Sequence, residues 1–461
     1  MAAGALFAAA CSSPAETNAT LESASPETNV TSTTSLPGAE TTTVVARGPG
    51  YREDDSAYLF DQASLRTFEL TLTEEDLAFL DGDPVAEEYV PATLTFDGRS
   101  LEVGLRYKGS VGAFVGCLDG LDLFDPSGVK TCTKLSMKVR INFEDPDAEF
   151  FGQRRLQFHS MNNDPTQMHE RLGYWLFGQM GVPAPRSVHA RVVINGELVG
   201  LFAMTEQIDG RFTRHNFPDG TGNLYKEAWP FTEDGTVTPE QIFVDALRSG
   251  EDDGIAPDII RSFAQELIEA GASGGPDVLA ARTNLDELLA YAVVDRTIRH
   301  DDGPFHWYCD EVGCNNHNYY WYENPSDQTV HLIAWDLDNA FENIVQHANP
   351  VTPIADGFGE VSADCEPFAF GAWSLRQRSA ACDPLVAALA DQDDAHQRVL
   401  DEFLAGPFAA EQVEAQLVAW EAQIADVTDE ANVLHPDAIS NTLWRSSMFS
   451  FRRELAHARG E

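Results

Sequence analysis

One stretch of the chain, residues 300–341, places four oxygen-bearing side chains around two short apolar runs. Asp302 follows a helix-like segment, and Asn318 begins the aromatic run Asn-Tyr-Tyr-Trp-Tyr. Asp336 and Asp338 come directly after the apolar run Ile-Ala-Trp. Phosphoryl transfer uses the same order, in which a first acid accepts the substrate hydroxyl proton and an Asn and a later acid hold Mg²⁺ against nucleotide phosphates. We therefore interpret the rest of the chain as the support for one such site.

The composition limits the class of protein. The chain has 461 residues, of which 43% are apolar, so it can form one large domain or two lobes. The net charge of −44 excludes nucleic acid and anionic membranes as general partners, because phosphate binding requires a basic surface. Only five lysines occur, and four of them lie between Lys108 and Lys138. This cluster is the best candidate for an anion site, although so few lysines could also group by chance.

The N-terminal 56 residues do not have the composition of a folded domain. Residues 1–11 end in a short apolar run before Cys11, which is similar to a bacterial lipoprotein signal and too short for a transmembrane helix. Residues 12–56 are rich in Ser, Thr, Glu, Pro and Ala and are expected to form a disordered tether. We therefore expect an exported cell-surface protein that is anchored by lipid on Cys11, with its folded domain in residues 57–461.

The six cysteines that follow Cys11 fall into three pairs that are close in sequence. The pairs are Cys117 with Cys132, Cys309 with Cys314, and Cys365 with Cys382. In an exported protein an even number of cysteines indicates disulfides, although six cysteines allow 15 connectivities. Metal binding is the alternative, but the histidines of the chain do not stand at zinc-ligand spacing. Disulfides within these near pairs are the expectation.

Two lysines in the first half are candidates for binding phosphate. Lys108 begins the turn Lys-Gly-Ser-Val-Gly after a strand, and such a turn can approach phosphates closely because its glycines lack side chains. Lys138 shares the polar face of a strand with Ser136 and Arg140, from which it could hold the α- and β-phosphates. The alternatives are a bare hairpin turn at Lys108 and an ordinary polar strand face at Lys138.

Three further side chains are candidates for the nucleotide site. Glu170 lies in a predicted helix, where it could pair with the strand lysine or simply face solvent. Glu206 and Gln207 follow a strong hairpin. A short polar segment at the end of a strand pair is where a linker between two lobes would receive the edge of an adenine.

The order of strand and helix patterns predicts the fold class. Residues 57–208 alternate as strands do, with an Asn-Gly turn at 195–196 and one helix that Asp164 is predicted to cap. Residues 209–461 are mostly helical around a short strand pair. We therefore expect an α+β fold of two lobes, a strand-rich one at residues 57–208 and a helical one at 209–461, with a cleft between them.

Motifs spread over residues 60–345 together resemble the CotH kinase family, a group of atypical protein kinases first recognised in spore coats. Each motif alone is weak, and their number and order make the match specific. The motifs are Arg106-Tyr-Lys-Gly-Ser110, Lys134-Leu-Ser-Met-Lys138, Asn162-Asn-Asp164, Glu170-Arg-Leu, Met180-Gly-Val-Pro-Ala-Pro-Arg186, Ile194-Asn-Gly-Glu-Leu-Val-Gly-Leu201, Glu206-Gln-Ile-Asp209, Asn223-Leu-Tyr-Lys226, Asn318-Tyr-Tyr320 and Trp335-Asp-Leu-Asp338.

The resemblance implies a divergent protein-kinase-like fold that binds ATP with Mg²⁺ or Mn²⁺ and phosphorylates Ser or Thr of secreted or cell-surface proteins. By position, Asp302 would be the catalytic base, with Asp301 as the alternative because the family has a different triplet where this chain has His-Asp-Asp. The implied metal ligands are Asn318, Asp336 and Asp338. The implied nucleotide-binding residues are Lys108, Lys138, Glu170, Glu206 and Gln207.

Two other functions are compatible with the sequence. A non-catalytic surface adhesin or coat component could use the same scaffold, and retention of the charged set at Lys138, Asn318, Asp336 and Asp338 favours activity instead. A glycosidase could use paired carboxylates such as Asp302 and Asp336, but in so acidic a chain such pairs arise by accident. A glycosidase would act without nucleotide or metal, which distinguishes it from a kinase.

Overall fold

The computed structural model describes residues 55–120, 122, 125–249, 256–345, 365–370 and 374–461. The predicted lipid-anchored Cys11 and the predicted tether up to residue 54 lie outside these residues. The described part begins with a 3₁₀ helix at Asp55–Tyr58, and Ser56, predicted to lie in the tether, is buried and accepts a hydrogen bond from Arg186 at 2.7 Å. Strands and helices are both abundant, so the predicted α+β class is confirmed.

The first half of the chain forms a closed barrel in the strand order β1-β2-β3-β4-β5-β7-β6. A parallel pairing of β1 with β6 closes it, whereas the other neighbours are antiparallel. The sequence patterns predicted separate hairpins and not this closure, because β1 and β6 lie far apart in the chain. The strands are β1 Arg66–Thr71, β2 Val90–Phe96, β3 Arg99–Tyr107, β4 Met137–Arg140, β5 Arg155–His159, β6 Ser187–Ile194 and β7 Glu197–Thr205.

The two faces of strands β3, β4 and β5 differ sharply. Leu105, Val139 and Leu156 stand opposite one another and are buried in the barrel core. At the next position of β3, Arg106 pairs with Lys138 of β4, which in turn pairs with Gln157 of β5. Because side chains alternate across a strand, the barrel buries an apolar interior and presents a polar, largely cationic outer face.

Three helices accompany the barrel strands: α1 Glu74–Gly82, α2 Val111–Phe114 and α3 His169–Gln179. Helix α3 begins later than predicted, since its first residue is His169 and not a position next to Asp164. The Asp164 carboxylate instead accepts hydrogen bonds from Thr166 and, at 2.9 Å, from the backbone N–H of His169. Asp164 therefore supports the start of the helix from a preceding turn. Gly181, with a positive φ of 75°, follows the end of the helix, where a left-handed glycine is common.

The Asn195-Gly196 turn has the conformation that its sequence predicts. Both residues have positive φ, 51° at Asn195 and 84° at Gly196. This is the two-residue turn that matches the twist of a hairpin. It joins β6 directly to β7, which leads on to Glu206 and Gln207.

The second half of the chain is mostly helical with two small sheets, ordered β13-β12-β8-β9 and β11-β10-β15-β14. The strands are β8 Leu224–Lys226, β9 Leu247–Ser249, β10 Trp307–Cys309, β11 Cys314–Asn315, β12 Tyr319–Asn324, β13 Thr329–Ala334, β14 Phe368–Phe370 and β15 Leu375–Arg378. The helices are α4 Gly210–Asn216, α5 Glu240–Ala246, α6 Asp258–Arg282, α7 Leu285–Thr297, α8 Pro384–Ala390, α9 Asp393–Ala405, α10 Ala410–Leu434 and α11 Asn441–Ala458.

The barrel and the helical part have separate hydrophobic cores, and helix α3 belongs to the second. Leu172, Leu176 and Phe177 of α3 are fully buried in the helical core. Because α3 packs there while its first turn stays beside the barrel, it can carry Glu170 to the boundary between the two cores. The C-terminal helices return to the barrel, where Glu430 accepts from Arg191 at 2.9 Å.

All six cysteines after Cys11 are paired as the sequence predicted. The disulfides join Cys117 to Cys132, Cys309 to Cys314 and Cys365 to Cys382. Disulfides are typical of proteins in oxidising compartments. Among the helices of the described residues, none has the length and apolar character required to cross a membrane.

Candidate active site

Lys108 lies at the end of β3 and is linked to helix α3 through a histidine. Its Nζ is 2.8 Å from Nε2 of His159, and Nδ1 of His159 is 2.7 Å from Oε1 of Glu170. The ammonium also lies 5.6 Å from the centre of the Trp335 ring. The structure therefore differs from the suggested pairing of Glu170 with the strand lysine Lys138, because Glu170 contacts His159, which contacts Lys108.

The charges around Lys108 come from both halves of the chain. Burial lowers the pKa of Lys108, and the carboxylates of Asp336 and Glu170 oppose that shift while Lys226 adds to it. Carboxylates from both halves of the chain therefore favour the charged form of Lys108 against the effect of its burial. Lys226 and His159 are residues that the sequence reading assigned no role. The signal for His159 was available, since it alternates with Gln157 on the polar face of β5.

Asp302 lies after helix α7 with both carboxylate oxygens in hydrogen bonds. Tyr308 donates its hydroxyl to Oδ1 at 2.7 Å, and Asn318 donates its Nδ2 to Oδ2 at 3.0 Å. The Asn318 amide also donates to the backbone carbonyl of Asp302 at 3.0 Å, so the two residues hold each other in place. Burial raises the pKa of Asp302, and His317 and the bond from Tyr308 partly offset this.

Asp301 has a different environment from its neighbour Asp302. Its side chain is 0% exposed and lies against two guanidinium groups, Arg299 at 2.8 Å and Arg296 at 3.3 Å. The Asn343 amide donates to it at 3.0 Å. All these partners are protein groups that hold the loop after α7. The Asp301 carboxylate is therefore engaged in ion pairs with arginines, whereas the Asp302 carboxylate is held by the uncharged side chains of Tyr308 and Asn318.

Asp336 and Asp338 follow strand β13 in a sharply turned backbone. Asp336 has a positive φ of 54°, and its N–H donates to the Tyr174 hydroxyl at 3.0 Å. Its carbonyl accepts from Nε2 of His300 at 3.2 Å, so the turn is held on both sides. The backbone carbonyl of Asp338 accepts from Nδ1 of His169 at 2.9 Å.

The carboxylates of this region crowd one another. Burial raises the pKa of Asp338 well above its usual value, and Asp336, Glu170 and Asp302 raise it further. Such crowding is relieved by a cation. Within the described residues, no three or more His, Cys, Asp or Glu side chains form a ready cage for a metal ion. Mg²⁺ with a nucleotide uses one or two carboxylates together with phosphate oxygens and waters, so the pair Asp336 and Asp338 fits that ion.

Lys138 lies on the outer face of the barrel, apart from the chain of contacts that joins Lys108 to Glu170. It stands opposite Arg106 on β3 and Gln157 on β5. Burial lowers the pKa of Lys138 to about 7, and the nearby charges of Arg106 and Arg155 contribute. Several cations held close together on one strand face are suited to a polyanion such as a nucleotide triphosphate.

The two residues predicted to receive an adenine edge have different environments. Glu206 is buried and accepts hydrogen bonds from the Arg186 guanidinium at 3.0 and 2.5 Å. Gln207 follows it, and its buried Oε1 has no hydrogen-bond partner, nor does the buried Nε2 of Gln157. Buried amide groups are rarely left unpaired. Glu206 is occupied by Arg186, whereas these two amide atoms have unused hydrogen-bonding capacity.

The structure thus brings Lys108, Glu170, Asp302, Asn318, Asp336 and Asp338 to one region at the boundary between barrel and helices. Lys138 lies beside this region on the barrel face, and Gln207 lies after the end of β7. Asp301 and Glu206 are each held in an ion pair with an arginine. Residues of the site that the sequence reading missed are His159, Tyr174, Lys226, His300 and Tyr308. Most of their contacts join residues that are far apart in the sequence, such as Tyr174 with Asp336 and His300 with Asp336.

Comparison with curated proteins gives two distant relatives from Bacillus subtilis (strain 168). The chain is 24% identical to the inner spore coat protein H over 149 residues, which is 32% of this chain and 36% of that protein. It is 36% identical to the inner spore coat protein H-like protein over 56 residues, 12% of this chain and 18% of that protein. The chain therefore aligns with about a third or less of the length of these relatives.

A family model supplies the broader match. The model described as CotH kinase protein matches residues 105–443, more than half of the chain. The matched range begins just before Lys108 and contains all the candidate site residues, including Asp302, Asn318 and Asp336. The chain belongs to the CotH kinase protein family.

Proposed function

We propose that this protein is a metal-dependent protein kinase that transfers the γ-phosphoryl group of ATP to Ser or Thr hydroxyls of secreted or cell-surface proteins. The observation that carries the proposal is the placement of Asp302. Its two oxygens are fixed by Tyr308 and Asn318, and it belongs to the same group of interacting charges as Asp336 and Asp338. Phosphoryl transfer depends on such positioning and charge neutralisation more than on covalent chemistry by the protein.

The roles of the other residues follow from their charges. Asp336 and Asp338 would hold Mg²⁺ or Mn²⁺. Asn318 could join them as a metal ligand through its amide oxygen, because its amide nitrogen donates a hydrogen bond to Asp302. When bound, the metal neutralises phosphate charge. Lys108 and Lys138 would contact the phosphates from the barrel side. The unpaired amide atoms of Gln157 and Gln207 would contact the base.

Asp302 would act as the general base. A base is most effective when its pKa is near the working pH, and burial raises the pKa of Asp302 in that direction. The hydrogen bonds from Tyr308 and Asn318 fix the orientation of the carboxylate. A carboxylate oxygen can accept more than one hydrogen bond, so a substrate hydroxyl can still donate to it.

We further propose that the protein acts outside the cytoplasm, anchored by lipid on Cys11. Three disulfides support an oxidising location. The two relatives are named as spore coat proteins or as similar to one, which supports a surface assembly as the place of action. The same names make a non-catalytic coat component the second candidate function.

The test of the proposed function is calorimetric titration of the protein with ATP, with and without Mg²⁺ or Mn²⁺. We expect metal-dependent binding that weakens by about a hundredfold in Asp336→Ala, because loss of a metal ligand removes the link between metal and protein. The matched control is Asp286→Ala, which removes a carboxylate that is 87% exposed on helix α7 and should leave affinity unchanged. Absence of ATP binding in the unmodified protein, with or without metal, would reject the kinase and favour the coat component.

The affinity for ATP should also depend on pH through Lys138. Burial lowers the pKa of this lysine to about 7, so it is mostly charged at pH 6 and mostly neutral at pH 8. Phosphates bind the charged form, and raising the pH from 6 to 8 should therefore weaken ATP binding, by about tenfold if one charge-assisted hydrogen bond is lost.

Lys138→Met is the control for this pH dependence. ATP changes its own charge in the same pH range, and the Met variant retains that contribution while it lacks the contribution of Lys138. Calorimetry at pH 6, 7 and 8 should give a steeper decrease for the unmodified protein than for the variant. Equal slopes would show that Lys138 does not contact the phosphates.

A further inference from the structure

We propose that His159 is a positioning residue that orients Lys108 toward an anion without cancelling its positive charge. In this arrangement Lys108, His159 and Glu170 form a relay, defined here as the contacts of 2.8 Å from Lys108 Nζ to His159 Nε2 and of 2.7 Å from His159 Nδ1 to Glu170 Oε1. The proposal rests on the proposed nucleotide-binding function and assigns a new role within that site.

The chemistry of the three groups fixes the direction of the relay. With Lys108 in its ammonium form, which has only donors, Nε2 of His159 accepts the hydrogen bond from Lys108. Nδ1 must then carry the imidazole proton, and it donates that proton to the carboxylate of Glu170. His159 is therefore the neutral tautomer with hydrogen on Nδ1, held between a cation and an anion.

The surroundings of His159 keep this orientation. The residue is 6% exposed, and its ring meets the Trp335 ring edge-on at 5.7 Å. It lies on β5 opposite Ala203 of β7, so the rigid barrel sets its backbone. Glu170 lies in the first turn of α3, which the helical core holds. The relay therefore connects the barrel to the helical part and places Lys108 relative to both.

The electrostatic consequence follows from the neutral middle group. A carboxylate in direct contact with Lys108 would neutralise it and compete with phosphate for its hydrogen bonds. Here the acceptor that Lys108 contacts is an uncharged nitrogen, and the Glu170 carboxylate lies beyond the imidazole ring. Lys108 is fixed in space, yet its charge remains available to an anion.

The relay itself can be tested without nucleotide. In the full chain labelled with ¹⁵N-histidine, long-range proton–nitrogen spectra report which ring nitrogen carries hydrogen. We expect His159, identified by the signal that disappears in His159→Gln, to have an unprotonated Nε2 and a protonated Nδ1. We also expect the Nε2 signal to shift in Lys108→Met. A protonated Nε2 would overturn the relay. The same holds for an Nε2 chemical shift that is unchanged in Lys108→Met.

The positioning role is tested by calorimetric titration with ATP and Mg²⁺. His159→Leu keeps the bulk of the side chain but removes both hydrogen bonds, and we expect affinity to fall about tenfold. His159→Gln can still accept from Lys108 through its carbonyl and donate to Glu170 through its amide, so it should retain most of the affinity. Equal losses in the Leu and Gln variants would overturn the positioning role.

A third variant separates this proposal from the proposed function. Glu170→Leu should weaken ATP binding in the unmodified background and have a smaller effect in His159→Leu, because the hydrogen-bonded route from Glu170 to Lys108 through the imidazole is then already broken. Additive effects would overturn the relay as the route of coupling. If the unmodified protein binds no ATP, the proposed function fails and the positioning role fails with it, while the nitrogen spectra still decide whether the hydrogen-bonded relay exists.

Discussion

Replacing Asp302 by asparagine is expected to reduce phosphoryl transfer by at least about a hundredfold and to leave ATP binding within about twofold. Asparagine has the same shape and cannot take up the proton of a substrate hydroxyl. Its amide can keep both local contacts, since its oxygen can accept from Asn318 and its nitrogen can donate to the Tyr308 hydroxyl. The loss therefore isolates the chemical role of the carboxylate.

The measurement for Asp302→Asn combines two assays on the same preparation. Transfer of labelled γ-phosphate to a library of Ser- and Thr-containing peptides gives the catalytic effect, and calorimetry with ATP and Mg²⁺ gives the affinity. Tyr308→Phe is the companion variant, because it retains the carboxylate but removes one of the donors that orient it. We expect a smaller loss of transfer in Tyr308→Phe. Undiminished transfer in Asp302→Asn would show that another group is the base.

The second large effect is expected at the neighbouring residue, and it is on stability. Asp301→Ala should lower the free energy of unfolding by about 3–5 kcal/mol, because removal of one partner of a buried ion pair leaves the other charge uncompensated. Asp301 is 0% exposed and contacts Arg296 and Arg299, whose side chains are 12% and 30% exposed. It also accepts from Asn343, which would lose that partner.

Urea unfolding followed by tryptophan fluorescence measures this difference. Asp302→Asn serves as the comparison, since its hydrogen bonds can be preserved and its free energy of unfolding should change by less than about 1 kcal/mol. The two substitutions are therefore expected to differ in effect. Asp301→Ala should lower the free energy of unfolding, whereas Asp302→Asn should lower the rate of phosphoryl transfer. A stable Asp301→Ala protein that binds ATP but transfers no phosphate would instead assign the base to Asp301.

The features predicted correctly from the sequence depend on residues that are close in the chain. The Asn195-Gly196 turn and the three disulfides between near cysteines follow from short-range chemistry. The α+β class also follows, because the period of the apolar pattern differs between strands and helices.

The errors and omissions depend on contacts between distant residues. Closure of the barrel joins β1 to β6, and no local pattern announces a parallel partner more than a hundred residues away. The start of helix α3 was placed too early because Asp164 and Pro165 match a helix start, whereas the turn that Asp164 stabilises continues to Met168. The sequence offers the strand lysine Lys138 or solvent as the surroundings of Glu170, and only the packed structure shows that His159 lies between Glu170 and Lys108.

The amino-acid sequence supplies the reactive groups: a small set of lysines in an acidic chain, carboxylates after a helix and a strand, and cysteines spaced for disulfides. Which of these groups meet depends on tertiary packing. Asp301 and Asp302 are identical side chains one position apart, yet one lies against Arg296 and Arg299 and the other against Tyr308 and Asn318. The physical reason is that turns, caps and strand alternation are set by neighbouring residues, whereas the direction of a side chain in a loop is set by the partners that packing brings to it.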